Sequence, residues 1–280
     1  MTGKPCHHGK RARFWLAAAA SVIAGCAHTP SADFHETASR LGFRTSLAEG
    51  GEFTHRVFFN ARALEGSPQR LHLYIDGDGT PWLGTGRPAR DPTPRDPLVL
   101  RLMALDDSPA VYLGRPCYAG ENDPGRCTAW DWTHGRYSER VVESLDRAAR
   151  RVVRQLGGGE LVLIGYSGGG TLAMLLAERL DNVSDVVTVA GNLDVDGWAR
   201  HHGYSPLTGS LDPARRQPLP PHVRQWHWAG RHDEKVPHEL LSAAAEDGDH
   251  VRVEIVDGFD HRCCWEERWP EILQTLSARP

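Results

Sequence analysis

The sequence predicts an α/β domain in which a mostly parallel central sheet carries helices on both faces. Three observations predict it. Short apolar runs alternate with amphipathic segments from about residue 51 to the end of the chain. One run, 161–165, is continuously apolar and entered from three glycines, the pattern of a strand buried on both faces. Residues 136–156 repeat Val141, Leu145, Ala148, Ala149, Val152, Val153 and Leu156 at helical steps, with Arg140, Glu143, Arg147, Arg150 and Arg154 opposite.

In chain order, 57–60 and 71–75 have strand character, 97–105 makes a helix, and 110–113 is a third strand. The long helix 136–156 follows, then the strand 161–165, a helix over 171–180 and strands at 183–189 and 223–228. A helix at 239–245, a strand at 251–256 and a helix at 269–276 close the chain. Alternation of this kind is what a parallel sheet with crossover helices requires. The Pro-rich stretch 206–221 is a long loop and not a domain linker, because a strand-like run follows at once.

The first residues do not belong to this domain. Lys10, Arg11 and Arg13 precede an apolar run, 14–24, broken only by Ser21. That run is shorter than the roughly 20 residues a membrane-spanning helix needs, and it suits the core of an export signal. It ends in Ile23-Ala24-Gly25-Cys26, which resembles the lipobox of bacterial lipoproteins. The resemblance implies removal of a signal peptide at 1–25, acylation of Cys26, and a tether at 26–50 with one short helix. Ala27 after the cysteine then implies the outer membrane, so the protein is expected in the cell envelope, lipid-anchored on the periplasmic side. A plain export signal with a chance cysteine is the alternative.

Composition narrows the function. The net charge is −4, and the 32 basic residues are spread among carboxylates without a basic stripe. That excludes phosphate-backbone binding, and no nucleic-acid partner is expected. With Cys6 in the signal and Cys26 acylated, Cys117, Cys127, Cys263 and Cys264 remain for an oxidising compartment. Cys117 and Cys127 flank a turn-rich loop and favour a local bridge. Cys263 and Cys264 either bond each other or pair elsewhere, since four cysteines allow three pairings. Neither pair has Cys-x-x-Cys spacing and no His-Glu-x-x-His occurs, so neither a metal nor a cofactor is expected.

The chemistry centres on Gly165-Tyr166-Ser167-Gly168-Gly169, a Gly-x-Ser-x-Gly motif between an apolar strand and a helix. A strand-to-helix turn that tight leaves no room for side chains two residues either side of the serine. A serine hydroxyl near neutral pH needs a base. Asp233 follows a predicted strand ahead of Val236-Pro237, and His261 follows the strand 251–256 within Asp257-Gly258-Phe259-Asp260-His261. The order Ser, acid, His then assigns Ser167 as nucleophile, His261 as general base and Asp233 as the carboxylate that orients it. Glu234, Asp260 and Asp194 are rival acids.

With these loops in place, residues 51–280 resemble the α/β-hydrolases, and together with the lipobox a poorly characterised group of bacterial lipoprotein serine hydrolases. The resemblance implies an oxyanion hole from two backbone N–H groups. One is that of Gly168, directly after the serine. The other is that of Asp78, in Asp76-Gly77-Asp78-Gly79, which stands where the family has His-Gly-x-Gly. Two carboxylates beside a site that stabilises an anion are unfavourable unless they are hydrogen-bonded, turned away or matched by a cationic substrate group. The resemblance also places a lid-like insertion at 191–222. Trp198, Trp132 and Tyr166 are candidate substrate contacts, with loop anchoring an equal alternative for the two tryptophans. The expected activity is hydrolysis of a small-molecule carboxylic ester through an acyl-enzyme. A peptidase or amidase with a partly acidic pocket and an inactive lipid-anchored binding protein are the alternatives. Nothing in the sequence fixes the oligomeric state.

Overall fold

A computed structural model describes residues 29–277, apart from 85, 246 and 247. The signal peptide and Cys26 lie outside the described residues. The elements in chain order are α1 (Pro30–Arg40), β1 (Arg44–Glu49), β2 (Thr54–Phe59), β3 (Arg70–Ile75), β4 (Trp82–Leu83), β5 (Arg87–Pro88), α2 (Leu98–Ala104), β6 (Ala110–Leu113) and α3 (Glu139–Gln155). They continue with β7 (Glu160–Tyr166), α4 (Gly168–Ala177), β8 (Val183–Val189), α5 (Val195–His201), β9 (Arg224–Gly230), α6 (His238–Ala244), β10 (Val251–Val256) and α7 (Trp265–Ser277).

Eight strands form one sheet in the order β1-β2-β6-β3-β7-β8-β9-β10. From β6 to β10 all neighbours run parallel, and β2 is antiparallel to both β1 and β6. Side chains alternate between two cores, as the pleat requires. On β7, Leu161 and Leu163 pack with α3, α4 and α6, while Val162 and Ile164 pack on the other face with α1, α2 and α7. Both faces of the central strands are therefore covered, which is why their sequences are almost unbroken runs of apolar residues.

The segment expected to be a tether is corrected from residue 30 onward. It folds as α1 and the edge strand β1, because it carries the apolar side chains that close one core. Phe34 is 1% exposed, and its ring lies 6.1 Å from that of Phe58 and 5.5 Å from that of Tyr112. Thr29 caps α1 by accepting the Ala32 N–H. Helix α4 starts three residues earlier than expected, because its first turn is made of the glycines of the serine motif, and α7 starts four earlier. The 191–222 segment contains α5, whose first N–H groups bond the Asp212 carboxylate. Cys117 is bonded to Cys127, and Cys263 to Cys264.

If α1 belongs to the domain, Phe34→Ala lowers stability by about 3–5 kcal/mol, the usual cost of emptying an aromatic core site. Urea unfolding measures it. A loss below about 1 kcal/mol would return the segment to the status of a tether.

Candidate active site

The four loops that leave the carboxyl ends of β3, β7, β9 and β10 meet at one edge of the sheet, where ligands bind in open parallel sheets. The β7–α4 turn comes first. Ser167 has φ 53° and ψ −122°, a conformation costly for a residue with a Cβ. Its N–H donates to Val189 O, and its carbonyl accepts from the Gly170 and Asn192 N–H groups. A Cβ on Gly165 would stand 2.2 Å from Gly169 O, and one on Gly169 would stand 2.2 Å from Ile75 O. Both motif glycines are thus required by contact with the backbone itself.

From β9, Asp233 is buried, and its Oδ1 accepts the Lys235 and Val236 N–H groups at 2.8 Å each. Its Oδ2 lies 2.8 Å from His261 Nδ1, and His261 Nε2 lies 3.1 Å from Ser167 Oγ. The structure brings together the three residues the sequence singled out. It places the rival acids elsewhere: Asp194 caps α5 by accepting the Gly197 N–H, Asp260 accepts the Arg262 and Cys263 N–H groups, and Glu234 is exposed on the rim. The histidine loop is fixed through the His261 carbonyl, which accepts from Tyr166 OH at 3.0 Å and Trp265 Nε1 at 3.3 Å.

The β3 loop runs along the serine, with an ideal Cβ on Gly77 falling 3.2 Å from Ser167 Cβ. Among the described residues nothing accepts a hydrogen bond from the Asp78 N–H. Gly168 is the first residue of α4, so its N–H has no carbonyl within the helix. The expected conflict of two carboxylates at this loop is resolved by hydrogen bonding. The Asp78 carboxylate is bonded to Arg115 (2.6 Å), Arg136 (2.8 Å) and Tyr137 OH (2.7 Å). Burial opposes its charge, but the two guanidiniums and the phenol outweigh burial and hold the carboxyl well below the usual range.

Asp76 is different. It is 2% exposed, its Oδ1 accepts the Gly77 N–H at 2.8 Å, and its Oδ2 has no partner. Burial pushes its pKa up to about 7 against the lesser pull of that amide and Arg115.

The cleft over these groups holds about 1290 Å³ and is bordered by Trp82, His134, Trp198, His202, Tyr204 and Leu207. Trp198 and Tyr166, two of the candidate substrate contacts, border it. Trp132 does not: it sits on the inner side of a single helical turn, 129–132, and is buried in the core. That turn faces inward at residue 132 and outward at 130, which leaves Trp130 partly exposed instead. Trp82 and His134 take the place expected of Trp132, their rings 5.5 Å apart. Trp82 was open to discovery, as an aromatic three residues after the Asp-Gly-Asp-Gly loop. Arg115 and Arg136 were not, since they meet Asp78 from 37 and 58 residues away.

Solved structures with a similar fold exist. The Pyrococcus furiosus esterase Pf2001 superposes with a TM-score of 0.59 at 11% identity, covering 85% of this chain and 92% of that one. Est1E from Butyrivibrio proteoclasticus gives 0.57 at 12% identity, covering 83% and 97%. A serine hydrolase without a lid from Xanthomonas campestris gives 0.53 at 14% identity, covering 85% and 97%. The chain has the α/β-hydrolase fold. At these identities the likeness is one of architecture. No family model and no curated protein matches the sequence. Within this α/β-hydrolase fold, Ser167, Asp233 and His261 stand on the loops after β7, β9 and β10.

Asp76 yields a test of the electrostatics. A carboxyl whose folded pKa lies above its unfolded value of about 3.9 adds stability while protonated, and that stability is lost as pH rises toward and through the folded pKa. Wild-type stability should therefore decline from about pH 4 to pH 8 by a component that Asp76→Asn abolishes. At pH 8 the variant, which keeps an acceptor for the Gly77 N–H, should melt on the order of 5 °C higher. Parallel melting curves at pH 5 and 8 measure this, and equal pH slopes for the two proteins would refute it.

Proposed function

We propose that the chain is a serine hydrolase that cleaves carboxylic esters through an acyl-enzyme. The observation that carries this reading is the unbroken hydrogen-bonded series from Ser167 Oγ through the His261 ring to the Asp233 carboxylate. Ser167 Oγ attacks the ester carbonyl carbon while His261 Nε2 takes its proton. Asp233 holds the Nδ1–H and stabilises the imidazolium. The carbonyl oxygen becomes an oxyanion held by the Gly168 and Asp78 N–H groups. Collapse expels the alkoxide, which leaves as an alcohol with the proton from His261. Water, deprotonated by His261, then attacks the acyl group, and the acid departs as Ser167 recovers its proton.

An ester is favoured over an amide because the acidity that would have recruited an amine is absent at Asp78, whose charge is matched by two arginines. The half-apolar cleft suits a small or mid-sized organic acyl group. Among proteins of similar fold, Est1E has been solved with ferulic acid bound, and another is a membrane phospholipase A.

The lipobox-like sequence at 23–26 implies a place. With Cys26 acylated, only residues 27–29 separate the lipid from α1, so the domain would stand within roughly 14 Å of the headgroups. Membrane fractionation of wild-type protein and Cys26→Ala checks the anchor, and equal retention of both would remove it.

Ser167→Ala should abolish labelling by a fluorophosphonate probe and turnover of p-nitrophenyl esters. His261→Ala should lower kcat by roughly 10⁴ or more, and Asp233→Asn by roughly 10²–10⁴. Glu234→Gln and Asp260→Asn should change kcat by less than about tenfold, since neither carboxylate touches the imidazole. If wild-type protein turns over amides of the same acyl groups as fast as esters, the ester assignment fails. If it takes up no probe, the hydrolase reading fails with it.

A further inference from the structure

We propose that Arg115 and Arg136 are positioning residues for this reaction, holding the Asp78 carboxylate so that the Asp78 N–H faces the oxyanion and leaving a buried positive charge behind it. The inference deepens the serine-hydrolase reading and rests on it.

The geometry is over-determined. Asp78 Oδ1 accepts from Arg115 Nη1 at 2.6 Å, Oδ2 accepts from Arg136 Nη1 at 2.8 Å, and Tyr137 OH sits between the two oxygens. The Asp78 carbonyl accepts from Tyr118 OH at 2.9 Å. The arginines are themselves held: Arg115 Nη2 donates to Arg136 O at 3.2 Å, and Arg136 Nε donates to Thr133 O at 2.6 Å. The Arg115 guanidinium is also flanked by the Tyr118 and Tyr137 rings, 5.2 and 5.4 Å from their centroids. With its carboxylate and its carbonyl both fixed, the residue has no freedom left to swing its N–H.

This lock reaches the serine directly. A Cβ on Gly168 would stand 2.3 Å from Asp78 Oδ1 and 2.4 Å from Tyr137 OH. The carboxylate therefore lies against the residue that supplies the other oxyanion donor. A shift of Asp78 by a fraction of an ångström changes the spacing of the two amides, and oxyanion stabilisation depends on that spacing.

The charge balance says more. One guanidinium neutralises one carboxylate, yet two are buried here, at 1% and 4% exposure. Burying a second cation without a second anion is expensive. Of the groups facing the cluster, Tyr118 and Tyr137 are kept neutral by burial, and Asp76, pushed by burial up to about 7, is uncharged only below that pH. The negative charge that the surplus matches best is the one that exists only during turnover, next to Gly168 and Asp78. A preorganised cation behind an oxyanion stabilises the transition state more than the neutral ester, so its removal acts on kcat before KM.

The test uses the full chain in detergent, with Arg136→Met, Arg136→Lys, Arg115→Met and Tyr137→Phe beside Ser167→Ala. The readouts are kcat and KM on one p-nitrophenyl ester and inhibition by an alkyl boronic acid, whose adduct on the serine is a tetrahedral anion. Arg136→Met and Arg115→Met should each lower kcat by about 10–100-fold, with KM within about threefold. Boronate inhibition should weaken by a similar factor, and Arg136→Lys should recover part of both, because it restores the charge without the fork. Tyr137→Phe, which removes one hydroxyl from an otherwise filled site, should lower kcat by about 3–10-fold. It decides the matter if the methionine variants do not fold.

Wild-type kcat and boronate affinity in the folded arginine variants would overturn the inference. So would a loss that follows melting temperature and leaves boronate affinity untouched. If Ser167→Ala keeps its activity, the nucleophile assignment fails whatever the arginines do. If Ser167→Ala is dead and the arginine and tyrosine variants are unimpaired, only the positioning role fails.

Discussion

The site depends on one constrained turn. Between β7 and α4 the chain reverses from strand to helix within a single residue, and that residue is Ser167, at φ 53°. The cost of the conformation is borne by the packing around it: β7 is buried between β3 and β8, and every residue of α4 is buried. Two glycines let the backbones of the turn, of α4 and of β3 close on one another to distances no side chain would permit. Once this turn is set, the serine hydroxyl stands clear of the sheet edge. The loops after β9 and β10 need only bring an acid and an imidazole to it.

How far this was legible follows from the range of each interaction. The elbow was plain because its requirements are local: an apolar strand, glycines at fixed offsets and a helix. Asp233 and His261 were found because each lies just after its own strand, and a parallel sheet puts all such positions on one edge. The tether was misjudged because α1 and β1 are polar outside and contribute few apolar side chains, Phe34 and Ala38 among them, to a core whose other half lies far along the chain. Trp132 was left even between cleft contact and loop anchor because a single turn of helix has no periodicity to say which tryptophan faces inward. The Asp78 cluster had no local signature at all, since its meaning lies in two arginines distant in sequence.

The acidic residues show why identity alone misleads about electrostatics. Asp76 and Asp78 are two positions apart on one loop, the first buried and the second partly so, yet their acidities move in opposite directions. Asp78 meets two guanidiniums and a phenol. Asp76 meets one amide, and its second oxygen is left without a donor. The sequence motif Asp-Gly-Asp-Gly therefore does not describe an acidic pocket. It describes one ionised carboxylate used as an anchor and one carboxyl kept close to neutrality by its surroundings.

Ser167, His261 and Asp233 are each fixed by a different part of the molecule, and always through main-chain atoms as well as side chains. Ser167 is held by bonds to Val189, Gly170 and Asn192, around the β8 end of the sheet. His261 is held at its carbonyl by Tyr166 from the elbow and Trp265 from α7. Asp233 is held by amides of its own loop, and that loop is gripped at Lys235 O by Trp198 Nε1 and by His202 Nε2 from the 191–222 segment. That segment therefore does more than border the cleft. Its helix α5 braces the carboxylate that orients the histidine, so a motion large enough to open it as a lid would release Lys235 O and loosen the acid loop. Two hydrogen bonds to one carbonyl oxygen thus join the 191–222 segment to the loop that carries Asp233.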